Sequence, residues 1–158
     1  MSYYIIDSNN KKFEIIKTDI LSKSGGTAII HNVQGTDDFV LKLYKDKKYA
    51  KKSEAKLNQF IKSFPSSELD SMTDLPIKIH QLAWPKNLVY EKGKPVGFIM
   101  PKINFKDTVQ LNRIFSIKNR NAEKITEDIT WRITVARNLA DVYNILHKSG
   151  YYVVDTKP

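Results

Sequence analysis

The sequence predicts an α+β fold. Its first half is a succession of short β-branched and aromatic runs separated by turn residues. The apolar period then changes from two to about 3.6, and the last third carries a second, longer helical stripe. With 158 residues, 41% of them hydrophobic, the chain can bury a core, as one domain or as part of a larger one.

Strands are expected at Tyr3 to Ile6, Phe13 to Ile20, Ala28 to Val33 and Phe39 to Tyr44. Between them stand Asp7-Ser8-Asn9-Asn10, Ser22-Lys23-Ser24-Gly25-Gly26 and Gln34-Gly35-Thr36-Asp37-Asp38. Asn, Asp, Ser and Gly turn a chain because their side chains bond nearby backbone or, for Gly, leave φ unrestricted. From Tyr49 to Phe64 the residues Ala50, Leu57, Phe60, Ile61 and Phe64 recur along one helix face, and Pro65-Ser66-Ser67 ends it. After a polar loop from Ser66 to Asp74, Ile77 to Trp84 and Leu88 to Tyr90 read as strands. The turn Glu91-Lys92-Gly93-Lys94-Pro95 then leads into Val96 to Met100 as a hairpin.

Residues 104 to 125 are polar and basic, with a short helix expected at Val109 to Phe115. A long helix is expected over residues 127 to 148, capped by Thr126 with Glu127 and Asp128 in its first turn, where the dipole favours acids. Ile129, Ile133, Ala136, Ala140, Tyr143 and Leu146 form its apolar stripe, widened by Val135, Leu139 and Val142. Lys148 near its end and Gly150 just past it supply the stop. Tyr151 to Val154 reads as a short extended piece before Asp155-Thr156-Lys157-Pro158.

Composition excludes several function classes. Lys and Arg number 26 against 17 Asp and Glu, a net charge of +9. The basic residues are interleaved with acids and polar residues, as in Lys45-Asp46-Lys47-Lys48 and Lys118-Asn119-Arg120, the pattern of a solvated surface. The segment from Lys102 to Lys124 is the stretch an acidic partner would meet, with nucleic acid as the lesser reading. The absence of cysteine rules out a disulfide framework, a thiolate zinc site and a cysteine nucleophile. No run approaches the ~18 apolar residues of a membrane span and the N-terminus lacks a basic, then apolar, leader, so a soluble cytoplasmic protein without a membrane partner is expected. His31, His80 and His147 lack metal-ligand spacing, and His147 lies on the stripe of the last helix, as a core or capping residue does.

Three features break their local pattern. Lys42 shares a strand face with Val40 and Tyr44. Glu54 falls on the apolar helix face defined by Ala50, Leu57 and Ile61. A carboxylate there is costly unless a cation pairs with it, and Lys42 on the preceding strand is the nearest suitable partner; the other reading is a solvated residue at the margin of the stripe. Asp155 and Lys157 put opposite charges two positions apart on a loop after an extended segment.

The order of these pieces resembles the protein kinase fold: a small-residue turn between two strands, a strand lysine, a helix glutamate, a hairpin into an edge segment, then a long helix. Leu146-His147-Lys148-Ser149-Gly150 and Asp155-Thr156-Lys157-Pro158 fill every fixed position of the kinase pattern L-H-x-x-G-x-x-x-x-D-x-K-P. Ala83-Trp84-Pro85 and Gly97-Phe98-Ile99-Met100-Pro101 are similar to motifs of a divergent bacterial group within that family. The resemblance implies a small lobe and hinge over residues 1–103, built as an antiparallel five-stranded sheet with one long helix. It implies an incomplete beginning of the large lobe over 104–158.

The resemblance further implies ATP as the ligand. Lys42 would contact the α- and β-phosphates, held by Glu54. Met100 would be the gatekeeper, the Pro101 carbonyl would accept from adenine, and the Ile103 N–H would donate to the ring. Asp155 would be the catalytic base and Lys157 would neutralise the γ-phosphate. The phosphate loop departs from the pattern G-x-G-x-x-G-x-V. With Ile29 taken as the Val, its glycines become Ser22, Ser24 and Thr27, while the glycines present are Gly25 and Gly26. Val40 stands where a small residue usually faces adenine, and Val153-Val154 replaces the His-Arg before the catalytic Asp. The pattern also expects an Asn two residues after Pro158 and then an Asp-Phe-Gly metal site, so the chain reads as a fragment whose parent would use Mg2+ and which alone would be inactive. Two functions follow: the ATP-binding part of a serine/threonine kinase-like protein with an unidentified protein substrate, or a non-catalytic pseudokinase or basic module for an anionic partner. A fragment would leave the helix 127–148 with an uncovered apolar face through which the chain self-associates.

Overall fold

The computed structural model describes residues 2–16, 18–23, 25–63, 82–103, 108–109, 111–125 and 128–153. The chain divides into two compact units, Met1–Phe64 with Leu82–Lys102, and Pro65–Gln81 with Ile103–Pro158.

The first unit contains β1 (Ser2–Asp7), β2 (Lys12–Ile16), β3 (Ile20–Ser22), β4 (Ala28–Val33), β5 (Thr36–Tyr44), α1 (Lys47–Lys62), β6 (Asn87–Glu91) and β7 (Lys94–Pro101). The strands form one sheet in the order β2-β1-β6-β7-β5-β4-β3, antiparallel at every pairing. Seven strands replace the five expected. Five of them, β3, β4, β5, β7 and β6, lie in a row, and the β1–β2 hairpin extends that row at the β6 side. Asp7 fixes the extension. Its buried carboxylate accepts from the Asn9 and Lys11 N–H groups at 2.9 and 2.8 Å and from Asn87 Nδ2 at 2.9 Å, tying the hairpin turn to β6.

The run expected as a single strand from Phe13 to Ile20 is two strands separated by a corner. There Asp19 N donates to Ile16 O and Ile20 N to Thr18 O, both at 3.0 Å. Because β2 and β3 are consecutive yet occupy opposite ends of the sheet, this corner curls the sheet back on itself and brings β2 beside β4. The curl encloses a core of Ile5, Phe13, Ile15, Val33, Leu41, Leu43, Val89, Val96 and Ile99. Gly97 is required inside it, because a Cβ there would run into the backbone of Lys42 and Leu43 on β5.

The other face of the sheet carries a second cluster, Val40, Leu57, Leu88, Phe98 and Met100, with Ile30, Tyr44, Ile61 and Tyr90 packed against it. Leu57 and Ile61 come from α1, whose apolar stripe thus covers this face. Asp46 caps α1 by accepting from Lys48 N at 2.8 Å. At the other end the Trp84 indole N–H donates to Phe60 O at 2.8 Å, and the two rings lie 5.4 Å apart. Of the strand expected at Ile77 to Trp84, residues 77–81 lie outside the described residues, and 82–86 belong to no strand: Trp84 is used as an anchor for the helix instead.

The second unit contains α2 (Leu111–Phe115), α3 (Ile117–Ala122) and α4 (Ile129–Lys148). Ser116 caps α3, a helix that the polar sequence did not announce. The cap of α4 is Asp128, whose carboxylate accepts from Thr130 N at 2.6 Å, rather than Thr126, which lies outside the described residues. Gly150 takes φ +82°, and the Tyr151 N–H returns to Leu146 O at 2.9 Å, ending the helix. Residues 151–153 form no strand. Along α4 Leu146 is buried, whereas Ile129 and Ile133 are 64% and 60% exposed. Among the described residues no helix is long and apolar enough to cross a membrane.

Candidate functional site

Strand alternation builds a face around Lys42. On β5 it sends Val40, Lys42 and Tyr44 toward α1, and Leu41 and Leu43 into the curled core. The antiparallel register then sets Lys42 between Ile30 of β4 and Phe98 of β7, and sets Val40 opposite Met100. Val40, Phe98 and Met100 are buried and Lys42 is half-buried. The result is an apolar floor with one cation at its centre. The Lys42 ammonium lies 5.7 Å from the centroid of the Phe98 ring, a cation–π contact.

The expected Lys42–Glu54 pair is not formed. Glu54 is 23% exposed, and its carboxylate meets Lys51 Nζ one helical turn back, at 2.7 Å. It also hydrogen-bonds the Tyr90 hydroxyl; burial first, and then this carboxylate, push the Tyr90 phenol above its usual value. The same carboxylate raises Lys51. An i,i+3 neighbour reaches Glu54 without crossing from another element, which is why the local partner holds it.

The turn between β3 and β4 is held by a lysine. Lys45 Nζ donates to Gly25 O at 2.8 Å, and Lys45 N donates to Thr27 O at 3.0 Å. Gly25, Gly26 and Thr27 are exposed, Ser22 ends β3, and Ser24 lies outside the described residues. A Cβ at Gly25 would stand 3.1 Å from Ala28 O, whereas one at Gly26 would meet nothing.

The register separates Ile29 from Ile30. Ile29 pairs with Leu43 and belongs to the opposite face; Ile30 pairs with Lys42 and packs on the Val40 and Met100 cluster. With Ile30 in the Val position, the three glycine places of the phosphate-loop pattern fall on Lys23, Gly25 and Ala28. One is then a glycine and one an alanine, a closer fit than the frame set on Ile29.

Pro101 is fully buried, opposite Phe39. Ile103 belongs to the second unit and is exposed. Asp155 and Lys157 lie outside the described residues. Ile30, Phe98, Lys45, Lys51 and Tyr90 were not singled out by the sequence. Ile30 and Phe98 follow only from register, whereas Lys51 was legible as an i,i+3 neighbour of Glu54. Among the described residues no group of three or more His, Asp or Glu side chains could hold a metal ion.

No family model matches the chain and no solved structure does. It is 26% identical over 133 residues to a protein named Protein kinase YegI of Escherichia coli strain K12, an alignment covering 83% of this chain and 18% of that protein. The protein of that name in Escherichia coli O157:H7 matches at 26% over 133 residues, 83% of this chain and 19% of the relative. The chain therefore spans about a fifth of the length of the curated relatives it matches. This distant similarity supports a kinase-like relationship.

Proposed function

We propose that the first unit binds ATP on the face that carries Lys42, as the nucleotide-holding part of a serine/threonine protein kinase-like protein. One observation carries the reading: Ile30, Val40, Lys42, Phe98 and Met100, drawn from three strands, share one face, with a single cation among apolar side chains. An adenine ring needs such a floor, and a polyphosphate needs a fixed cation at its margin. The contiguous five strands with α1 inserted after the third, and the similarity to proteins named as protein kinases, support it further.

In this reading adenine lies against Val40, Ile30 and Met100, with Pro101 beside it, and Lys42 leaves the Phe98 ring for the α- and β-phosphates. The Ser22 to Thr27 turn, with Gly25 at its close approach, covers the phosphates. Asp155 and Lys157 keep the roles the resemblance implies, orienting an acceptor hydroxyl and neutralising the γ-phosphate, with charge that magnesium would supply. Titration calorimetry with ATP tests the binding step. The chain binds, and Lys42→Ala loses binding while circular dichroism remains unchanged. Equal affinity of both proteins overturns the assignment, and no binding by either turns it to a non-catalytic module.

A further inference from the structure

The solvent face of α1 breaks the local rules of helix stability. The helix holds Lys47, Lys48, Lys51, Lys52, Lys56 and Lys62 against a single acid, Glu54, and its first turn contains no acid. Lysines in the first turn oppose the helix dipole, and like charges four apart repel, here Lys48 with Lys52 and Lys52 with Lys56. Lys47 and Lys51 are each paired, with Glu91 and Glu54 at 2.7 Å. Lys48, Lys52 and Lys56 form a row opposite the buried Ala50 and Leu57, all three exposed. None has an acidic partner among the described residues; Lys56 lies over the Phe60 ring at 5.5 Å. A row that destabilises its own helix and has no internal partner marks a surface used for something else.

We propose that the Lys48–Lys52–Lys56 row docks an acidic polypeptide segment. Residues four apart on a helix are separated by about 6 Å along the axis, and alternate side chains of an extended strand by about 6.7 Å, so an extended segment with acids at every second position meets the row in step. The chemistry favours a polypeptide over nucleic acid. The cations are all lysines, without the guanidinium forks suited to phosphate. The aromatic rings of the helix already have ring partners, Tyr49 against Tyr44 at 5.2 Å and Phe60 against Trp84. This docking surface does not depend on nucleotide binding.

Fluorescence anisotropy of a labelled peptide of alternating Glu and Ser, titrated with the whole chain, tests it. The peptide binds, and Lys48→Gln/Lys52→Gln/Lys56→Gln weakens it about tenfold. A control of equal charge change, Lys92→Gln/Lys94→Gln/Lys118→Gln, weakens it less than about twofold. The first variant also melts no lower than the native chain, because it removes like-charge pairs from α1. Failure of the native chain to bind the peptide, or equal losses in the two variants, overturns the proposal. Tighter binding of single-stranded oligo-dT of the same charge than of the peptide reassigns the row to nucleic acid and overturns it too.

Discussion

The two units solve the burial of their apolar residues differently. In the first, both faces of the sheet have packing partners: the β1–β2 hairpin and the corner at Thr18 and Asp19 close one side, and α1 packs on the other. In the second, among the described residues, Leu146 is the only buried apolar side chain. α4 carries a long stripe of Ile, Ala, Leu and Val at helical spacing, and much of that stripe faces solvent. Periodicity of side chains therefore states which face wants cover, not whether cover is present. The first unit holds the elements that satisfy both of its faces.

The largest effect expected lies in the closed core. Leu41 is fully buried in the curled sheet, so Leu41→Ala costs about 3–4 kcal/mol in urea unfolding followed by circular dichroism. A loss below about 1 kcal/mol would show that the sheet is not closed there. Next, Gly97→Ala forces β7 away from β5 and costs about 2–3 kcal/mol on the same measurement; native stability in this variant would break the close approach of the two strands.

A smaller effect is pH-dependent. Burial holds the His31 imidazole below its usual 6.5, the neighbouring Asp19 carboxylate opposing but not cancelling this. The unfolded chain therefore takes up that proton first, and stability falls as pH drops through about 6.5 until the native group is protonated as well. His31→Gln removes this part of the slope; an unchanged slope between pH 7 and 5 would place the dependence elsewhere. The smallest effect on stability belongs to the open face. Ile129→Glu with Ile133→Glu alters unfolding by less than about 0.5 kcal/mol, yet shifts a self-associating chain to monomer in analytical ultracentrifugation. A native chain that sediments as a monomer at high concentration would erase the contrast between the units.

Alternation in Phe39 to Tyr44 was enough to place Lys42 with Val40, because a strand has only two faces. The hairpin Leu88 to Met100 was legible from Lys92-Gly93, both of which take positive φ. Ile29 and Ile30 were not separable, since neither strand end nor glycine spacing fixes the frame of the turn before them; cross-strand register does. Closure of the sheet was hidden for a similar reason. Phe13 to Ile20 has one alternating pattern, and only the tertiary path shows that it serves two edges. Glu54 was read as pairing with Lys42 or as solvated at the margin of the stripe; the structure pairs it instead with the exposed Lys51, three residues back on its own helix.

The Trp84 anchor has a practical consequence. By bonding the Phe60 carbonyl and meeting its ring at a tilt of 47°, the indole brings the chain back to the end of α1 after twenty-four residues. The indole is thus a built-in fluorophore for the end of α1: with Trp131, the other tryptophan, replaced by Phe, its emission reports whether the Phe60 contact is made.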